Sequence, residues 1–182
     1  FASTSSTITS HSDPSQVGSM AWCAVQITSS PTISSGIIRL PAAAQDYTTN
    51  SNYTLASNIT LEIDRGTGKL APAAGTTLTI GTNQIRAGNY QIFSGDGSFS
   101  FTGQQPLRSC WFSSLDVAVT KISAAAVELE INKSETLTSN VVIPATTSVN
   151  VARGAVITLS THDLTVNSLK SAPAGMWISC NS

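Results

Sequence analysis

ITLEIDRGTGKLAPAAGTTLTIGTNQIRAGNYQIFSGDGSFSFTG, residues 59–103, is the stretch on which the fold turns. Apolar residues alternate in ITLEID (Ile59, Leu61, Ile63), in TLTI (Leu78, Ile80) and in SFSF (Phe99, Phe101). Between these lie KL at 69–70, QI at 84–85 and YQIF at 90–93. Gly66, Gly68, Gly75, Gly81, Gly88, Gly95, Gly97 and Gly103 punctuate the runs. Short period-2 segments bounded by glycine read as strands joined by tight turns. Ile63 to Ile85 and Leu70 to Ile92 are each 22 residues, and Leu78 to Phe99 is 21. Three strand-like elements therefore recur about every 22 residues. A chain that winds three short strands per coil, each stacked on its equivalent one coil later, has this signature. The expected class is all-β, a parallel β-helix-like stack. An antiparallel β-sandwich shares the local pattern and is the alternative.

A longer self-similarity points the same way. TLASN (54–58) is similar to TLTSN (136–140), LEIDRG (61–66) to VNVARG (149–154), LTI (78–80) to LTV (164–166), and AGNYQI (87–92) to AGMWIS (174–179). The order is shared, and the second copy carries an extra VVIPAT segment at 141–146. GSMAWCAV (18–25) has the look of the tail of a third unit, with Trp22 at the place of Trp177. The expected organisation is an N-terminal arm with first strands at 1–49, one unit at 50–112, a connector at 113–131 and a second unit at 132–182. Each such unit cannot bury its apolar face alone, and stacking makes one core.

Elsewhere the chain is less patterned. Residues 1–19 are polar and Ser-rich and read as an arm or first edge strand; MAWCAVQIT (20–28) reads as a strand, as does IIRL (37–40). In SLDVAVTKISAAAVELEI (114–131), Ala124–Ala126 favour helix, while Val127, Leu129 and Ile131 alternate. The expectation is a loop or short helical turn over 113–125 and a strand over 126–132. The start FASTSSTITS has neither a basic nor an apolar signal region.

Composition narrows the functions. Charged residues are 10% of 182, against about 25% in a typical soluble chain. Ser and Thr together are roughly 28%. A net charge of -1 speaks against a nucleic-acid partner. No apolar run is long enough to span a bilayer. Two His and ten carboxylates are scant material for acid–base chemistry or a metal. Cys23, Cys110 and Cys180 are widely spaced with no C-x-x-C, so they are no zinc pattern. They read first as small buried apolar residues, with one disulfide the other option.

The candidate chemistry is thin. Glu128 and Glu130 alternate on one expected strand face, as a glycosidase pair could, but a solvated face is the simpler reading. Asp96, in Ser94-Gly95-Asp96-Gly97, reads as a turn residue. His162 and Asp163 are sequence neighbours and would point apart on a strand. Arg65 and Arg153 hold equivalent repeat positions at expected turns. Asn52, Asn58 and Asn132 each head an Asn-x-Ser/Thr triplet, which chance supplies in so Ser/Thr-rich a chain. Trp22, Tyr90, Trp111 and Trp177 are the candidate interface residues, since large aromatics plug cores or contacts between chains. No catalytic residue, cofactor or metal is expected.

The run TLASN…ITLEIDRGTGKL…GTTLTI…IRAGNYQIFSGDGSFSFT…WF resembles a module of phage tail-spike and tail-fibre proteins with a pectin-lyase-like, right-handed parallel β-helix. The residues that carry it are Leu61, Ile63, Gly66, Leu70, Leu78, Ile80, Ala87, Gly88, Tyr90, Gln91, Ile92, Phe93, Gly95, Gly97, Trp111 and Phe112. TLTSNVVIPATTSVNVARGAVITLS (136–160) resembles the opening of the same module. WFSSLD (111–116) stands where the family has a WFGA-like close, and the long catalytic β-helix of such spikes is absent. The resemblance thus implies a structural segment and no enzyme: a virion or extracellular protein that assembles with itself, most simply as a trimer, and with neighbouring virion proteins. A host-surface glycan is a further implied partner. A polysaccharide-degrading fragment, or a cell-surface adhesin or filament subunit, is the alternative.

Overall fold

The computed structural model describes residues 6–9, 36–40, 42, 45–66, 68–82, 84–103, 106–172 and 177–179. Among the described residues the chain is nearly all β, beside one short α-helix. Every strand pairing among the described residues is parallel. That excludes the antiparallel sandwich, and the fold is a parallel β-solenoid. Contacts divide it into two units, Phe1–Gly103 and Gln104–Ser182. The boundary at 103/104 differs from the 50–112, 113–131 and 132–182 division drawn from the repeat. Strands before residue 50 pair into the first unit, and the expected connector supplies elements of the second.

In the first unit the strands are β1 (Ser6–Thr9), β2 (Gly36–Leu40), β3 (Tyr47–Thr49), β4 (Tyr53–Leu55), β5 (Ile59–Ile63), β6 (Leu70–Pro72), β7 (Thr77–Ile80), β8 (Ile85–Arg86) and β9 (Ser98–Phe101). They form three sheets, ordered β1-β2-β5-β8, β3-β6 and β4-β7-β9. The coils β2-β3-β4 and β5-β6-β7 each give one strand to each sheet; the coil of β8 and β9 meets the middle sheet only through a bridge at Phe93. Strand alternation sends one residue in two inward, so like positions stack. Ile38, Leu61 and Ile85 form one column, Leu55, Ile80 and Phe101 another. Leu40, Leu61, Leu70, Leu78 and Ile80 are fully buried, each worth about 1.5–3 kcal/mol by transfer from water.

The stacking partners are partly those the spacing predicts. Leu78 pairs with Phe99 as expected. Ile85 pairs with Leu61, two residues before the expected Ile63, and Leu70 bridges Phe93 in place of Ile92. YQIF (90–93) is no strand; Phe93 alone makes a bridge, and its ring packs edge-on against Phe99 and Phe101 at 5.0 and 5.6 Å. The next turn needs its glycines. Gly95 has φ 79°, and a Cβ on Gly97 would sit 2.4 Å from the Ala73 carbonyl oxygen of the preceding coil.

The second unit begins with β10 (Pro106–Arg108), a 3-10 turn (Ser109–Trp111) and helix α1 (Leu115–Ile122). The strands β11 (Glu128–Ile131), β12 (Glu135–Thr136), β13 (Val141–Ile143), β14 (Ser148–Val151), β15 (Val156–Thr158), β16 (Leu164–Val166), β17 (Leu169–Ser171) and β18 (Trp177–Ser179) follow. Again there are three sheets, β10-β11-β14-β17, β12-β15-β18 and β13-β16. Where a loop or helical turn is expected, α1 is an eight-residue α-helix. Ser114 caps it, its Oγ accepting from the Val117 N–H at 3.3 Å, with Asp116 in the first turn and Lys121 in the last. Leu115, Ala118 and Ile122 share its buried face. Val119 and Ile122 meet Leu129, Ile143, Pro144 and Thr147 with no water-sized gap, so the helix covers one end of this stack.

Side chains also tie coil to coil at the turns. Asn52 Oδ1 accepts from the Thr77 N–H at 2.8 Å, and Asp46 Oδ1 from that of Lys69 at 3.0 Å. In the second unit Asn132 Oδ1 accepts from the Cys110 N–H at 3.2 Å, and Asn140 Oδ1 from that of Asp163 at 3.0 Å. Turn backbone unable to join a ladder is satisfied this way. The expected strand at 20–28 lies outside the described residues.

Candidate functional site

Of the four candidate interface aromatics, the side chains of Tyr90 and Trp111 are described. Trp22 lies outside the described residues, as do Cys23 and Cys180. Trp177 is placed by its backbone alone, in β18, paired with Val156. Tyr90 is half-buried, and its hydroxyl donates to the Ile63 carbonyl at 2.6 Å. Trp111 is 3% exposed in the single chain, with the Arg108 guanidinium 5.6 Å from its ring centroid. In the single chain Trp111 is thus part of the core.

Outward charges pair from coil to coil. Arg39, Glu62 and Arg86 are successive rungs of one ladder; Arg86 bonds Glu62 at 2.9 Å and Arg39 bonds Asp64 at 3.2 Å. In the second unit Arg108 pairs with Glu130 at 3.3 Å, and Lys170 holds Glu128. Glu128 and Glu130 do share a face, and each carboxylate is occupied by a cation, as a solvated strand face requires. Asp96 is an exposed turn residue, and Arg65 and Arg153 are exposed at turns. His162 and Asp163 precede β16 and are not on a strand. Cys110 is buried, and its sulfur lies 3.2 Å from Asn132 Nδ2. Among the described residues no group of three or more His, Cys, Asp or Glu could hold a metal. No helix among them is long and apolar enough to cross a membrane.

One cluster was not anticipated. Glu135 occupies a register column whose next members are Ile157 and Ile178, and only 8% of it is exposed. An ionised carboxylate at such a position carries a desolvation cost. Lys133 Nζ meets it at 3.3 Å, and the Leu115 N–H at the start of α1 bonds to it. Asp116, also in the first turn of α1, adds negative charge beside it. Burial, first, and Asp116 push the Glu135 carboxyl above the usual carboxylate range, against the pull of Lys133 and the Leu115 N–H. Asp116 Oδ2 in turn accepts from both the backbone N–H (3.1 Å) and the hydroxyl of Thr138, while its Oδ1 is buried without a hydrogen-bond partner. The signal for this site is the alternation in ETL, where Glu135 falls on the same side as the buried Leu137.

Compared with protein-family models, with curated proteins and with solved structures, the chain matches none of them.

Proposed function

We propose that the chain is a structural assembly protein, of the phage tail-spike, tail-fibre or surface-decoration type, which works by docking to copies of itself and to neighbouring proteins. The observation that carries the assembly reading is the far end of the second stack. There Ile131, Val149, Val151, Ile157, Leu164, Val166 and Leu169 line an open apolar cavity of about 230 Å³, and Leu169 is 53% exposed. A solenoid buries each coil against the next, so an apolar end is the natural place for a further layer. The occupied carboxylates of Glu62, Glu128 and Glu130 favour a scaffold over a hydrolase. The virion setting rests on the sequence resemblance of the two repeat units.

Light scattering on the full chain tests this. The native particle is expected at a multiple of 18.9 kDa. Leu169→Asp is expected to lower that mass while leaving the β-type circular dichroism intact. A particle of 18.9 kDa at every concentration, or turnover of polysaccharide that Glu128→Gln abolishes, would overturn the proposal.

A further inference from the structure

Glu135 stands out because its place in the coil calls for an aliphatic side chain. Its register partner is Ile157, and Ile157 pairs with Ile178. The carboxylate lies under the first turn of α1, bonded to the Leu115 N–H and 3.3 Å from Lys133 Nζ. The charged groups that face it are Lys133 from the turn before β12 and Asp116 from the helix. The paired strand β15, Val156–Thr158, brings none, and Arg108 of β10 is engaged by Glu130. Lys121 lies in the last turn of the helix, away from Glu135. One ammonium therefore serves two neighbouring carboxylates: it ion-pairs with Glu135 Oε1, while Asp116 Oδ1 has no hydrogen-bond donor.

We propose that Glu135 is a proton-operated latch for helix α1: uptake of one proton neutralises the buried carboxylate and tightens the helix on its coil. The protonated carboxyl loses its repulsion from Asp116 and gains an O–H donor beside Asp116, whose Oδ1 has none. Lys133 is then released to pair with water or with Asp116. The helix covers one end of the second stack, so the latch sets how firmly that end is closed.

The direction of the effect follows from linkage. Burial holds the folded-state carboxyl above its ordinary value of 4.5. The folded chain therefore binds this proton more tightly than the unfolded chain. Its contribution to stability is full below the ordinary value and is lost as pH rises through the folded value. Acid thus strengthens this unit through Glu135, the reverse of a carboxylate held in a strong ion pair.

The test compares the full chain with its Glu135→Gln variant, which keeps size and shape, by thermal melting from pH 7.5 to 4.5. At pH 7.5 the variant is expected to melt higher, by roughly 2–4 °C. The gap should close as pH falls, because wild type gains what glutamine already has. Hydrogen exchange should show the amides of 115–122 better protected in acid in wild type only, after correction for intrinsic rates. Carbon NMR of the Glu135 carboxyl should place its midpoint above that of an exposed glutamate. Asp116→Asn should lower that midpoint and Lys133→Met should raise it. Two melting curves separated by a gap that does not change with pH, a variant that melts lower at pH 7.5, or an ordinary midpoint would each overturn the proposal.

Discussion

At the scale of single residues, the fold depends on contacts made one coil away. Gly97 is the sharpest case. Its backbone passes so close to Ala73 that an added Cβ would lie 2.4 Å from a carbonyl oxygen, with Pro72 at 2.8 Å. Both obstacles are part of a buried neighbouring coil, so relief requires the coils to separate. Gly97→Ala is expected to destabilise the first unit by about 1–3 kcal/mol, read from urea unfolding. Gly75, with open space around its Cβ position, owes its place to a φ of 78°. The sequence marks both as turn glycines in the same way. Only the neighbouring coil distinguishes a glycine needed for room from one needed for its dihedral. Glu135 teaches the same lesson: alternation puts it inward, but the cost of its charge depends on Lys133 and on a helix thirteen or more residues earlier.

At the scale of elements, α1 is where local and tertiary preferences meet. Its eight residues are too few to hold a helix in isolation. What retains it is the buried face of Leu115, Ala118 and Ile122, together with the Ser114 cap. Ser114→Ala is expected to cost about 1 kcal/mol and to speed hydrogen exchange over 115–122 first. Equal acceleration across β14 and β15 would mean that the helix does not loosen separately. The strands show the complementary case. TLASN and TLTSN match as sequences, yet the first ends β4, in the sheet β4-β7-β9, and the second follows from β12, in the sheet β12-β15-β18. The extra VVIPAT segment is β13, the strand that precedes β14 as β4 precedes β5. A shared turn chemistry makes two segments alike without giving them the same place in a coil.

At the scale of the whole molecule, scarcity of charge goes with outward Ser, Thr and Asn and, among the described residues, strand-borne ions that are paired. Thr54, Thr79 and Ser100 are successive rungs of one ladder, and Glu130, Asn150 and Ser171 of another. Parallel rungs lie about 4.8 Å apart, so a column of like charges would repel, whereas hydroxyls and alternating ions do not. Exposed pairs such as Arg39–Asp64 and Arg86–Glu62 each contribute about 0–1 kcal/mol. Raising NaCl from low salt to about 0.5 M at neutral pH is therefore expected to move Tm by less than about 3 °C. A fall well beyond that would assign the ladders a larger share of stability than burial allows.

By itself the sequence determined most of the strands, their inward and outward faces and a repeat near 22 residues, and favoured parallel winding over an antiparallel sandwich. These follow from alternation and glycine placement, which are properties of a few neighbouring residues. Tertiary structure alone decided the register, the boundary at 103/104, the helix at 115–122 and the burial of Trp111 and Glu135. Turns of unequal length let the paired residues drift from 20 apart (Leu129 and Val149) to 30 (Ser6 and Gly36), so no fixed period predicts which side chains meet. The state of a buried group depends on those meetings: Glu135 is an ordinary glutamate in the sequence and becomes a strained one only under α1.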